Sequence, residues 1–194
     1  MFNEIAKATD IVGANVSKNG ILADAADASG IYHLECRDAD GNLKWSEDFH
    51  NTVVNGGIQD MNTKYFSGSS YTAAWYLGLI TGPSGSVTIA RTDTMASHSG
   101  WTENTGYSQS TRPVCTFGTA TTANPSVDTN SASAAVFSMN ATATISGAFL
   151  TSNNTKGGTT GTLFSAAAFS SPGDRSVVSG DTLTVTYTFS LTAA

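Results

Sequence analysis

The sequence predicts an all-β fold: an antiparallel β-sandwich of jelly-roll type with one short helix and an N-terminal arm. Three observations lead there. The first is strict alternation late in the chain, where Leu183, Val185, Tyr187, Phe189 and Leu191 interleave with Thr182, Thr184, Thr186, Thr188, Ser190 and Thr192. Period two over that length places one strand face on a core and the other in water. The second is composition. Only 12% of the residues are charged, while Ser and Thr together number 52, as in strands whose outer faces carry hydroxyls rather than ions. The third is the recurrence of short apolar runs between turn residues, enough for eight or more strands.

Taken in order, residues 1–29 are rich in Ala and Asp, and Gly13, Gly20 and Gly30 interrupt any helical period. They read as an arm that orders against a partner, with a short helix at most. Residues 30–194 read as the sandwich domain. Ile31–Arg37 and Leu43–Phe49 flank Asp38-Ala39-Asp40-Gly41-Asn42, whose Asp-Gly step suits a tight hairpin turn. Ile58, Met61, Tyr65 and Phe66 then fall at helical spacing, with Asn55 placed to cap the start and Gly68 to end the helix.

The run Trp75-Tyr76-Leu77-Gly78-Leu79-Ile80 is apolar on both faces. It is a central strand covered twice by its own chain, or a strand covered once in the monomer and again by a partner. Val114–Thr119, Thr162–Phe169 and Ser176–Ser179 are shorter candidates. A second long alternation sets Phe137, Met139, Ala141, Ala143 and Ile145 against Ser138, Asn140, Thr142, Thr144 and Ser146. Gly180-Asp181 supplies the turn before the last strand.

Size and charge exclude whole classes. A chain of 194 residues suits one domain, or one domain with an arm, and buries roughly 70% of its unfolded surface without disulfide staples. A net charge of -6 and a pI near 4.8 speak against a nucleic-acid partner, which requires a basic patch. No apolar run approaches the ~18 residues of a membrane span. The opening Met1-Phe2-Asn3-Glu4-Ile5 lacks the basic and apolar regions of a secretory signal, so synthesis in the cytoplasm is expected. Cys36 and Cys115 read better as two small buried thiols than as a disulfide.

Chemical motifs are sparse. His33 and Glu35 share one strand face, but two ligand-type residues do not close a metal site, and His50 and His98 stand at no helpful spacing. Asp38-Ala39-Asp40-Gly41 has its glycine too early for a calcium loop and no glutamate at the twelfth position. Gly82-Pro83-Ser84-Gly85 lacks the spacing of a nucleophile elbow. Gly157-Gly158-Thr159-Thr160-Gly161 lacks the lysine of a phosphate loop and reads as a flexible turn. Three Asn-x-Ser/Thr sequons, at Asn15, Asn140 and Asn153, read as chance matches. No catalytic, cofactor-binding or metal-binding residue is assigned, and a non-enzymatic role is expected. Trp75 and Trp101, with several tyrosines, offer an alternative as the sugar-stacking face of a carbohydrate-binding module, although core packing or a subunit interface uses such rings more often.

Several strings occur in an order that carries a resemblance. His50-Asn51-Thr52-Val53-Val54-Asn55-Gly56-Gly57 leads into the helix, and Trp75-Tyr76-Leu77-Gly78-Leu79-Ile80 follows. Then come Ser97-His98-Ser99-Gly100-Trp101-Thr102-Glu103 with Tyr107 and Arg112, Ile145 to Ser152, and Gly180-Asp181-Thr182-Leu183-Thr184-Val185. From about residue 30 to 192 this order resembles virion structural proteins of tailed bacteriophages, most of all capsid decoration, or cement, proteins. The resemblance implies a non-enzymatic protein of the virion head surface, made in the host cytoplasm. Its implied partners are the major capsid protein lattice and copies of itself, as a dimer or trimer, with a tail or neck component as the alternative within the virion. Partner contact is then expected from Phe2, Ile5, Ile11 and Val12 in the arm and from Trp75, Tyr76 and Trp101 in the domain.

Overall fold

The structure is a computed structural model that describes residues 26–68, 73–82, 87–169 and 173–193. Strand β1 (Ala26–Arg37) turns into β2 (Leu43–His50), and β3 (Thr52–Val53) leads into helix α1 (Asn55–Phe66). After these come β4 (Tyr76–Thr81), β5 (Thr102–Asn104), β6 (Ser126–Thr129), β7 (Ala135–Ser138), β8 (Ala143–Ile145) and β9 (Gly147–Thr151). The chain closes with β10 (Leu163–Ala168), β11 (Arg175–Val177) and β12 (Thr182–Ala193).

Two antiparallel five-stranded sheets make the sandwich. The first runs β2-β1-β12-β6, with β7 also paired to β12; the second runs β3-β10-β9-β4-β5. A two-stranded ribbon of β8 and β11 stands apart. The alternation of β12 is realised as expected: Leu183, Val185 and Tyr187 are buried, and Thr182, Thr184, Thr186 and Thr188 face outward. β12 pairs with β1 from Ala26↔Ala193 to Arg37↔Thr182. The sheet thus takes in residues 26–29, which composition alone places in the arm.

The hairpin turn forms as its sequence predicts. Gly41 adopts φ 85°, and the Asp38 carboxylate accepts the backbone N–H groups of Asp40 and Asn42 at 3.0 and 2.8 Å. The bond from the Asn42 side chain, and after it these backbone bonds, favour the ionised form and hold the Asp38 carboxyl below its ordinary value.

The second sheet is apolar on both faces. Leu77 and Leu79 of β4 enter the main core between the sheets, with Tyr32, Leu34, Phe137, Leu183 and Val185. Ile80 instead joins Val54, Met95, Trp101, Phe149 and Leu163 in a smaller core. Met95 and Trp101 in that core come from the segment between β4 and β5. Strand β4 is therefore covered twice by its own chain, the first of the two alternatives.

Three elements depart from expectation. The alternating run Phe137–Ser146 is broken: β7 pairs with β12, β8 pairs with β11, and Met139–Thr142 crosses between them. Val114–Thr119 forms no strand, and Val114 makes only a single bridge to Tyr76. Asn55 is the first helical residue rather than the cap, because Val54, extended at φ -81° and ψ 163°, stands at the cap position; the Asn55 N–H goes to the carbonyl of Arg91 at 2.8 Å. Gly68, at φ 64°, follows the helix as placed.

Candidate apolar groove

Helical spacing predicts that α1 buries Ile58, Met61, Tyr65 and Phe66. Only Met61 reaches the main core, while Tyr65 is 82% and Phe66 78% exposed. The reason is that the helix docks by its start. A Cβ on Gly57 would collide with the carbonyl oxygen of Phe164, so only glycine lets the first turn lie against β10. The amide of Val54 bonds that same carbonyl at 3.1 Å. Beyond this anchor, Tyr65 and Phe66 of the last turn line a groove instead of filling a core.

The groove has a volume of about 690 Å³. It is lined by Trp75, Phe117, Phe164, Phe189 and Leu191, together with Phe66 of the helix and Ala26 of β1. The rings order one another: Phe164 meets Trp75 edge-on at 5.3 Å and Phe189 edge-on at 5.4 Å, spacings at which aromatic pairs attract. Asp60, Lys64 and Asp128 contribute the charges among the lining residues. A surface of this kind binds by removing apolar area from water, at about 25 cal/mol per Å². It offers few polar partners for the hydroxyls of a sugar.

Of the residues assigned to partner contact, Phe2, Ile5, Ile11 and Val12 lie outside the described residues. Trp75 is half-buried in the groove wall, and Tyr76 beside it is half-buried at the start of β4. Trp101 lies on the other side of the second sheet, only 2% exposed. Its indole N–H donates to Asp93 at 3.1 Å, and its ring stacks on His98 at 3.8 Å. Trp75 and Trp101 therefore form no common aromatic face, and Trp101 is core rather than contact surface. Phe117, Phe164 and Phe189 are groove residues that sequence reasoning does not find, because each sits in an apolar run that reads as ordinary core.

Other polar clusters are closed to solvent or paired within the chain. The Tyr32 hydroxyl lies 2.7 Å from Ser165 Oγ, which reaches Tyr187 Oη at 3.3 Å, and Asn51 Nδ2 donates to Tyr187 at 2.8 Å. Burial pushes both tyrosine hydroxyls well above their ordinary value, so the cluster stays protonated and acts as a polar rivet between the sheets. Glu103 and Arg112 form a buried bidentate pair at 3.0 and 2.7 Å. Arg112 also donates to the carbonyls of Asn153 and Gly158. The glycine turn at 157–161 is thereby tied to the body.

His33 bonds Asp48 at 2.7 Å, and Arg37 donates to Glu35 at 2.6 Å, both on the outer sheet face. Cys36 and Cys115 are buried and unpaired. Among the described residues no group of three or more His, Cys, Asp or Glu side chains is arranged to hold a metal, and no helix is long and apolar enough to cross a membrane. Comparison of the chain with protein-family models, curated proteins and solved structures returned no match.

Proposed function

We propose that this chain is a non-enzymatic structural protein of a tailed-phage virion, a decoration protein that binds the outer head lattice and stabilises it as a dimer or trimer. The likeness in the order of its sequence strings supports this. The observation that carries it is the outer face of the first sheet. Thr182, Thr184 and Thr186 of β12 stand beside Val136 and Ser138 of β7, in the register Thr184↔Val136 and Thr182↔Ser138. These β12 and β7 positions carry no ionised side chain; charges of that face, Glu35, Arg37 and Asp48 among them, lie on the β1 and β2 side. Hydroxyls donate and accept without the desolvation cost of an ion, and the centres of protein interfaces are depleted in charge for that reason. Modest contacts of this kind, repeated by symmetry over a shell, add up to a large stabilisation.

Immunogold electron microscopy of purified particles, with antibody against this chain, tests the proposal. Label spread over the head supports it. Label confined to the tail or neck replaces decoration with a tail or neck role. Absence of label, with the chain also missing from the protein profile of the particle, removes the virion reading.

A further inference from the structure

We infer that the groove beneath α1 is the seat of the chain's own N-terminal segment, residues 1–25. The inference stands apart from the virion proposal and needs only the fold. Ala26, where strand β1 begins, itself lines the groove, as do Phe189 and Leu191 of β12. The preceding chain is therefore delivered to the groove by the register of the sheet, Ala26↔Ala193 through Ala28↔Leu191. Ile21 and Leu22 come four to five residues before Ala26. At ~3.3 Å per extended residue, Leu22 has a reach of roughly 13 Å from that point.

The chemistry matches on both sides. The groove presents aromatic and aliphatic walls, and two of its lining rings, Tyr65 and Phe66 of α1, are largely exposed. The segment supplies Ile5, Ile11, Val12, Val16, Ile21 and Leu22. A mostly apolar concavity of about 690 Å³ falls in the size range of protein binding pockets. A tethered segment reaches it at an effective concentration that a separate molecule has to match in bulk. The composition of the arm predicts that it orders against a partner, and on this inference the first partner is the body of the same chain. Tyr65 and Phe66 act as the latch over it.

Hydrogen exchange on the full-length chain, read peptide by peptide, provides the test. Residues 5–22 are expected to exchange at least ~10-fold more slowly than the same sequence as a free peptide, independent of protein concentration. Ile21→Asp with Leu22→Asp is expected to abolish that protection. So is Tyr65→Ser with Phe66→Ser, which alters exposed side chains only. Unchanged protection of β1 and β12 in both variants shows that the sandwich is intact. Free-peptide rates in the wild-type chain overturn the inference. Protection that appears only as concentration rises assigns the groove to a neighbouring copy and also overturns it. Protection that survives the Tyr65 and Phe66 changes puts the segment elsewhere, and the inference fails there too.

Discussion

Replacing Arg112 by methionine tests how far the second sheet depends on one buried cation. Arg112 has no exposed side-chain surface, and Glu103 has 8%. The guanidinium makes two bonds to Glu103 and one each to the carbonyls of Asn153 and Gly158. It also lies 5.2 Å over the ring of Phe149. Methionine keeps much of the aliphatic volume but strips the Glu103 carboxylate of its cation, leaving it the amide of Gly157 at 2.9 Å and the neighbouring Tyr107 hydroxyl.

Breaking a buried pair by removing one member costs about 3–5 kcal/mol. The two freed carbonyls belong to half-buried residues that water reaches, so they add little. We expect a loss of about 4 kcal/mol and, at ~2–4 °C per kcal/mol for a domain of this size, a Tm lower by roughly 8–16 °C. Urea denaturation followed by tryptophan fluorescence measures it. Adding Glu103→Leu should leave the double variant no worse than Arg112→Met alone, because the uncompensated charge is gone. A single-variant loss below about 1 kcal/mol, or strictly additive losses, refutes the reasoning.

Three further outcomes are expected. Gly147→Ala drives a Cβ into the carbonyl of Ala167, a backbone atom of the adjacent strand; it should destabilise by at least ~2 kcal/mol in the same assay, while Gly41→Ala, with φ 85° but open space, should cost only about 1 kcal/mol. Burial pushes the Cys36 thiol up to about 11 and the Cys115 thiol up to about 12, so neither should react with a thiol reagent at about pH 8 until denaturant is added, and rapid labelling of the native chain would contradict this. The same shifts fix the alkaline behaviour. The unfolded chain releases these protons first, near pH 9, so the thiols' contribution is complete below that pH and is lost as pH rises toward 11 and 12. Tyr32, Tyr107 and Tyr187, all raised by burial, act in the same direction from about pH 10. A urea midpoint at about pH 10.5 that equals the midpoint at about pH 8 would refute it.

Alternation made β12 legible because it pairs with one strand, β1, over its whole length. The run from Phe137 to Ser146 shows the limit of that signal. Met139 and Ile145 are both buried, so the alternation correctly reports burial at those positions. It carries no record of the switch from β12 to β11 as pairing partner. Helix α1 is similar: its period is readable, but the direction of its apolar face depends on where Gly57 touches Phe164, a contact between residues far apart in sequence. The groove is invisible in the sequence for the same reason. Its walls come from α1, β9, β10, β12 and the segments before β4 and β6, and each wall residue alone looks like core. What was legible of the site was Trp75, through its place in a doubly apolar run.

The register of β1 with β12 also sets how the molecule responds to a pull. Ala26 lies opposite Ala193 and Arg37 opposite Thr182, so the two strands offer adjacent handles at one end of a twelve-residue zipper. Force applied across residues 26 and 193 loads the register pairs singly, and they open in sequence at low tension. Force applied across residues 37 and 193 runs along the strands, loads every rung at once, and meets far greater resistance. Tension is therefore tolerated when it enters through the hairpin end of β1 and leaves at residue 193. The same tension drawn between residues 26 and 193 peels the first sheet apart.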